Sequence, residues 1–443
     1  MDTAAVERFR ELLRIPTVSH VDPSQTDAAA FASFREALPR LYPALHEALE
    51  WETVGEHALL YRWRGAEARE PLVLMAHYDV VPVVAGEWAH PPFAATITGE
   101  GADATIHARG AIDDKGALAA ILEAVETLVG DGWSPTRDVY LAFGHDEEVA
   151  GTGAPAIVDV LRTRGVRPVL VLDEGGAVVS GAVPGVDVET AMIGVAERGV
   201  MTLGLTAREA GGHASTPPAL PATARLARAI DRLQRRPAPV RLVPPVRAMF
   251  RTLAPYARQP FRAVFSHIAL TGGMLARALP RFGSETNALV RTTAVTTELS
   301  GADGENVLAT TARASVNIRL LTGDTVAAAT RRARRAIADP RIEVDVRHGS
   351  DPSPVSPWRG EPWRRIATAV GSALGSEIVA TPYLQLGASD SRWFTAISDN
   401  VYRFAPFRLT AAEREALHAH DERIRVDVWL RGIDFYRDLL RLS

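Results

Sequence analysis

Short apolar runs alternate with helical patterns over the first part of the chain. Three such runs, residues 71–75, 139–143 and 168–172, are separated by helix-like segments near residues 116–129 and 153–164. Alternation of this kind is typical of β–α–β units, in which parallel strands form a sheet that is covered by helices. The pattern therefore predicts an α/β domain with a mostly parallel, helix-covered sheet.

The pattern changes after Gly199. Met201, Leu203 and Leu205 alternate with small or polar residues, as in a half-solvated antiparallel strand, and helical and strand-like stretches follow. A proline-rich connector at residues 351–357 then leads back to an amphipathic C-terminal helix. We therefore predict one α/β domain built from residues 1–198 and 351–443, which an inserted α+β domain of residues 199–350 interrupts.

Composition narrows the chemistry. The 443 residues include no cysteine, which excludes disulfides, thiolate metal sites and cysteine nucleophiles, so any metal must be held by His, Asp and Glu. The formal charge of −4 gives no support for nucleic-acid binding. We find no signal peptide and no run of about 18 uncharged apolar residues, and we expect a cytoplasmic protein.

The basic residues are unevenly distributed. Between Asp231 and Glu285 arginines interleave with prolines and aromatics, and there is no acidic residue. A solvated insert or an interface arm is the favoured interpretation, and contact with a membrane surface or an acidic partner is the alternative. Lys115 is the only lysine of the chain and follows two aspartates, so we expect it to pair with Asp114 or a neighbouring carboxylate.

Polar clusters directly follow the three apolar runs. They are HYD at His77, HDEE at His145 and DE at Asp173. Ligands bind beyond the carboxyl ends of parallel strands, so these clusters should converge in one crevice. Between the first two, Asp113 and Asp114 are adjacent, which is costly unless a cation lies between them. Histidines with several carboxylates form the ligand set expected for Zn²⁺ or a similar divalent ion, with enough candidates for two.

Taken together, the motifs resemble the di-zinc exopeptidase and deacylase family, which includes carboxypeptidase G, aminoacylase, acetylornithine deacetylase and succinyl-diaminopimelate desuccinylase. The matching stretches are HYD at His77, GAIDDKG around Asp113, HDEE at His145, LDEGG at Asp173, GGHAS at His213 and HAHDE at His418. LDEGG, AERG and GASDSRWF look closest to the carboxypeptidase S-like branch, whose members remove a C-terminal amino acid from short peptides or N-acyl amino acids. The resemblance implies that the α/β domain is catalytic and the insert a lid or dimerisation domain.

The resemblance also implies two Zn²⁺ ions per subunit, with Co²⁺ or Mn²⁺ as alternatives. The resemblance implies that His77 and Asp173 hold one ion and that Glu148 and His418 hold the other. Asp113 would bridge the two ions. His420 is the alternative to His418, since it lies two residues further on. In the family the peptide bond after the bridging aspartate is cis, which predicts a cis bond between Asp113 and Asp114.

Two further carboxylates have implied catalytic roles. Asp79 would accept the free ring N–H of His77 and fix its tautomer. Glu147 matches the general base of the family, which takes a proton from the metal-bound water and delivers it to the leaving amine. An exchange of roles between Glu147 and Glu148 is the alternative.

Three residues of the insert have implied roles toward the substrate. His213 matches a histidine that in dimeric members reaches across the subunit interface to the developing oxyanion, so a homodimer through the insert is one expected arrangement. Asn306 and Arg319 match positions that receive the substrate's carboxylate end, which a planar guanidinium suits. A histidine satisfied within its own glycine-rich loop and a surface ion pair of Arg319 are the alternatives.

These inferences predict a di-zinc hydrolase that cuts the amide bond to a C-terminal amino acid in short peptides or N-acyl amino acids, by attack of a hydroxide that bridges the metals. Its partners would be small-molecule substrates and not nucleic acid. A non-catalytic, metal-dependent binding protein for the same ligands is the alternative hypothesis. A lipidic substrate, with the arginine-rich insert docking at membranes, is a third.

Overall fold

The computed structural model describes residues 3–443. The strands are β1 (Glu50–Val54), β2 (Ala58–Trp63), β3 (Glu67–His77), β4 (Thr96–Thr98), β5 (Thr105–His107), β6 (Arg137–Gly144), β7 (Leu170–Val179), β8 (Thr190–Glu197), β9 (Gly199–Arg208), β10 (Gly212–His213), β11 (Thr293–Ser300), β12 (Val307–Leu308), β13 (Thr311–Leu320), β14 (Ile342–Ser350), β15 (Val379–Gln385), β16 (Val401–Arg408) and β17 (Arg423–Arg425). The α-helices are α1 (Thr3–Leu13), α2 (Ala28–Leu41), α3 (Pro43–Ala48), α4 (Lys115–Gly130), α5 (Gly153–Thr163), α6 (Ala222–Gln234), α7 (Pro244–Leu253), α8 (Phe261–Ser266), α9 (Ile268–Ala278), α10 (Ser284–Ala288), α11 (Val326–Ile337), α12 (Glu361–Ala369), α13 (Ser391–Phe394), α14 (Ala411–Glu415) and α15 (Val426–Arg441).

The larger sheet has the strand order β1-β2-β6-β3-β7-β16-β8-β15. Its central strands β6, β3, β7 and β16 are parallel, while β1 and β2 run antiparallel at one edge. Helices cover both faces, which explains why the central strands are continuous apolar runs. The first two apolar runs of the sequence fall within β3 and β6, and the third overlaps the start of β7, so the predicted α/β class is confirmed.

Helix α4 begins at the Asp113–Asp114 pair and is held there by the C-terminal helix. The indole N–H of Trp429 on α15 donates to the carbonyl of Gly116 at 3.0 Å, and Phe9 of α1 stacks on Trp429 with ring centroids 4.5 Å apart. A Cβ at Gly116 would lie 2.3 Å from the carbonyl oxygen of Ala111, so only glycine permits this tight entry into the helix. The chain around Asp113 is therefore fixed by packing from both chain ends.

The smaller sheet has the order β11-β13-β9-β14 and is antiparallel throughout. Helices α6 and α11 pack against it, and together they form a separate apolar core. Met201, Leu203 and Leu205 of β9 are buried in this core, and the strand is antiparallel as predicted. The prediction of a half-solvated strand is wrong, because the small residues between them are buried too, under the strands and helices of this domain. A short ribbon of β10 and β12 projects beside this sheet and carries His213.

The arginine-rich stretch forms the short helices α7 to α10. Pro244 and Pro245 occupy the first turn of α7, where the missing N–H groups cost little. Val246, Met249 and Phe250 of that helix are buried in the core of the larger sheet rather than in that of the smaller one. Part of the predicted insert thus packs on the α/β domain, and the predicted domain boundaries stay a prediction. None of the helices within residues 3–443 is long and apolar enough to cross a membrane.

Candidate metal centre

Strand β3 ends at His77, whose ring is buried and oriented by Asp79. The Nδ1 of His77 donates to the Asp79 carbonyl oxygen at 3.0 Å and lies 3.2 Å from Asp79 Oδ1, so Nε2 is the nitrogen left for a ligand. The same carboxylate accepts the backbone N–H groups of Glu147 and Glu148, each at 3.2 Å, and the Ser19 hydroxyl at 2.7 Å. Asp79 therefore ties the end of β3 to the loop that follows β6.

Asp113 lies between two histidines. Its Oδ1 is 3.0 Å from Nε2 of His77 and its Oδ2 is 3.0 Å from Nε2 of His418, which also lies 3.1 Å from Glu148 Oε2. His420 instead pairs with Glu87 at 3.0 Å. The Asp113–Asp114 peptide bond is cis, as the resemblance implies.

Successive residues of β7 present their carboxylates to different partners. Oε1 of Glu174 lies 3.6 Å from His77 Nε2, whereas Oδ2 of Asp173 accepts the backbone N–H of Ser391 at 2.8 Å. Two ligand groups form within residues 3–443, with oxygens or nitrogens within 4.8 Å of one another: His77 with Asp113 and Glu148, and His77 with Asp114 and Glu174. Glu174, which follows Asp173 in the LDEGG motif, is therefore a further candidate ligand beside the predicted Asp173.

The charges of this cluster call for a cation. Burial, and then the neighbouring carboxylates, raise the pKa of Glu147, Glu174 and Asp114 well above the ordinary values. Asp113 differs, because hydrogen bonds from His418 and His77 outweigh the effect of burial and lower its pKa. Two buried oxygens, Oδ1 of Asp114 and Oε1 of Glu148, have no hydrogen-bond partner among residues 3–443. Crowded, partly unpartnered carboxylates beside imidazole nitrogens fit a site for divalent metal ions.

A buried carboxylate outside the cluster positions the Asp113 loop. Oε1 of Glu422 accepts the backbone N–H groups of Ile112 and Asp113 at 2.7 and 3.1 Å, and Oε2 accepts that of Gly110 at 2.9 Å. Oε2 also pairs with the Arg109 guanidinium at 2.7 Å. The HAHDE motif contains Glu422, but its spacing after His418 gave no hint of this role.

The expected pairing of Lys115 with Asp114 is wrong. The Lys115 ammonium is buried and donates to the carbonyls of Leu12 and Ile15 at 3.2 and 2.5 Å, and it lies 5.2 Å from the ring centroid of Phe34. These two carbonyls belong to the last turn of α1 and to the segment just after it, so the start of α4 lies against the end of α1. Burial lowers the pKa of Lys115 to about 7.

The ribbon of β10 and β12 brings His213 and Asn306 together. The backbone N–H of Ala214 donates to the Asn306 carbonyl oxygen at 3.0 Å, and His213 is exposed, with Nδ1 accepting from the hydroxyl and N–H of Ser215 at 2.7 and 3.1 Å. In the described part of the chain no other side chain bonds to the His213 ring. The hydrogen bonds of this ribbon therefore do not reach the cluster around Asp113.

Arg319 lies on β13, where the two sheets approach each other. Its Nε donates to Asn317 Oδ1 at 3.3 Å, and within residues 3–443 it has no carboxylate partner. Burial, and then the nearby charge of Arg392, lower its pKa. Arg392 was not predicted as a site residue although it lies in the GASDSRWF motif; its Nε is 3.3 Å from Glu197 Oε1.

A carboxylate shared by two histidines at the carboxyl ends of parallel strands is typical of metal-dependent hydrolases. Comparison with known families places the chain within this class. Residues 73–442 match peptidase family M20/M25/M40, and the protein belongs to that family. It is a metal-dependent amidohydrolase.

Relatives span nearly the whole chain. An N-fatty-acyl-amino acid synthase/hydrolase of Xenopus tropicalis is 33% identical over 443 residues, which are 99% of this chain and 85% of the relative. A carboxypeptidase S-like protein of Dictyostelium discoideum is 30% identical over the same shares of the two chains. The crystal structure of a family M20 metallo-carboxypeptidase of Sulfolobus solfataricus superposes with a TM-score of 0.73 at 18% identity, covering 100% of this chain and 99% of the other. The resemblance read from the motifs is confirmed.

Proposed function

We propose that the protein hydrolyses N-acyl amino acids at the amide bond to the C-terminal amino acid, with two zinc ions per subunit. The position of Asp113 between His77 and His418, 3.0 Å from each, carries this proposal, because paired metals need a shared anionic bridge. When bound, such a pair polarises the amide carbonyl and lowers the pKa of water. His77 with Glu174 would hold one ion, and Glu148 with His418 the other; Asp173 stays the alternative to Glu174.

Glu147 is proposed as the base that takes up a proton and passes it to the leaving amine nitrogen. Its backbone is fixed by Asp79, and its side chain has Asp113 and Glu148 as electrostatic neighbours. A general base has to be held at hydrogen-bond distance from the proton that it moves, and the Asp79 contact provides such positioning. Glu148 accepts from His418 instead, which supports its assignment as a ligand rather than the base.

Arg319 is proposed to bind the carboxylate of the amino-acid product. A half-buried guanidinium without an acidic partner suits a carboxylate that arrives with the substrate. Arg392 is the second cation in reach of that position, since its charge acts on Arg319. The name of the Xenopus relative supports N-acyl amino acids as substrates, and that of the Dictyostelium relative supports short peptides as the second candidate.

A homodimer through the smaller sheet would bring a second His213 to each site. The outer strands β11 and β14 expose apolar side chains there: Val295 is 53%, Leu299 68% and Val346 41% exposed. Such side chains on a sheet edge favour contact with another protein surface. Contact of the arginine-rich insert with membranes stays a prediction.

Metal analysis followed by a substrate panel tests the proposal. We expect about two metal ions per chain, with zinc bound in preference to Co²⁺ or Mn²⁺, and release of free amino acid from N-acyl amino acids. Dipeptides in the same panel separate the two substrate classes. If calorimetry detects binding of an N-acyl amino acid but no amine is released, the protein is the non-catalytic binding protein of the alternative hypothesis. The proposal would then be wrong.

A further inference from the structure

We infer that an apolar cavity beside the metal centre holds the acyl chain of the substrate. The cavity has a volume of about 290 Å³ and lies between helices α7 and α10 on one side and β7 and β15 on the other. The inference rests on the proposed function, because the chain must belong to the amide that is cut. It adds which part of the protein selects the acyl group.

Two segments connect the cavity to the metal centre. On β7 the Glu174 carboxylate faces His77, and the next two residues, Gly175 and Gly176, line the cavity. On the other side Leu417 lines the cavity, and the next residue, His418, contacts Asp113. The cavity lining and the cluster are therefore one residue apart along both segments, which supports the cavity as the space for a chain attached to the carbonyl that is cut.

The walls suit an alkyl chain. Ten of the seventeen lining residues are aliphatic or methionine, among them Val179, Val183, Met249, Leu289, Leu409 and Leu417. The charged lining residues in the described part of the chain are Glu285 and Arg414, which pair with each other at 3.3 Å and leave no uncompensated charge for an ionic ligand. The volume is close to the lower end of small-molecule sites, about 300–1,000 Å³.

The arginine-rich stretch between Asp231 and Glu285 and the helix α10 at its end together supply one wall of this cavity. Met249 comes from α7, and Glu285, Thr286 and Leu289 come from α10 and its end. A methionine adapts to chains of different shape because its side chain is unbranched and flexible. The insert thus acquires a specificity role that its arginines alone do not indicate.

Substitution of Ala182 tests the inference, because this partly buried loop residue lines the cavity and a phenyl ring there would fill it. We expect Ala182→Phe to lower kcat/KM for N-lauroyl-leucine about ten-fold or more while that for N-acetyl-leucine stays within about two-fold. Leu270→Phe is the matched control, since Leu270 is 87% exposed on α9 and outside the cavity. Equal losses for both substrates, or none, would overturn the assignment and leave the proposed function intact.

Binding of cis-parinaric acid, read by its fluorescence, decides the case independently of turnover. We expect lauric acid to displace the probe from the wild-type protein, and Ala182→Phe to weaken its binding. If neither N-acyl substrate is hydrolysed, the proposed function fails, and the probe still reports on the cavity. Undiminished binding to Ala182→Phe would contradict the acyl-chain assignment.

Discussion

The cluster around Asp113 and the ribbon that carries His213 are held in opposite ways. His77 and Asp79 are 1% and 0% exposed, and Asp79 bonds both to the His77 ring and to the loop of Glu147 and Glu148. The ribbon has two residues in each strand, and His213 bonds only within its own turn in the described part of the chain. One subunit therefore preorganises the candidate metal centre, whereas the proposed oxyanion role of His213 would require domain closure or a second subunit.

The cluster around Asp113 allows the test with the largest expected effect. Glu147→Gln should lower kcat about a hundred- to ten-thousand-fold, because the isosteric amide cannot accept the proton. Metal content, measured by mass spectrometry, should stay unchanged, since Glu148 and not Glu147 contacts His418. Glu415→Gln is the control, as Glu415 is exposed on α14. A fully active Glu147→Gln enzyme would remove Glu147 as the base.

Substitution in the ribbon that carries His213 should reduce activity almost as strongly. His213→Ala should reduce kcat about a hundred- to a thousand-fold, as loss of an oxyanion donor does, without loss of metal. If the histidine acts across a dimer, mixing this variant with equal amounts of Glu147→Gln should restore roughly a quarter of the wild-type activity. Half of the dimers would then be mixed, and one of the two sites in each mixed dimer would be intact. If subunit exchange is verified and no activity returns, His213 acts on the site of its own subunit. Domain closure would then bring it to that site.

The two neighbouring carboxylates on β7, Asp173 and Glu174, can be compared to decide which of them is a metal ligand of the cluster around Asp113. Glu174→Gln should weaken metal binding by more than the roughly ten- to hundred-fold that is typical of supporting residues, and Asp173→Asn should stay within that range. The reason is that Glu174 approaches His77, while Asp173 is bonded to the Ser391 N–H. Titration with a metal-sensitive dye measures both affinities. The reverse order would restore Asp173 as the ligand.

The sequence predicted what depends on local pattern. The β3, β6 and β7 strands and the polar residues at their ends follow from apolar runs and from the chemistry of parallel sheets. It did not predict the roles of Glu422 and Arg109, because their contacts join segments about 310 residues apart. Nor could it assign helices α7–α10 to the larger core, since periodicity shows that a helix has an apolar face but not what that face meets.

Lys115 gives the smallest test and separates packing from metal chemistry. Its ammonium lies in a closed space between α1 and α4, so the broader guanidinium of Lys115→Arg should lower the free energy of unfolding by about 1–3 kcal/mol. Metal content and kcat should remain nearly unchanged, because Lys115 contacts backbone carbonyls and no ligand. Urea denaturation measures the stability, and Lys115→Met, which removes the hydrogen bonds of the ammonium to the carbonyls of Leu12 and Ile15, should destabilise to a similar extent. Loss of metal with unchanged stability would show instead that this lysine acts on Asp113 and Asp114. The cluster around Asp113 would then be organised by charge as well as by packing.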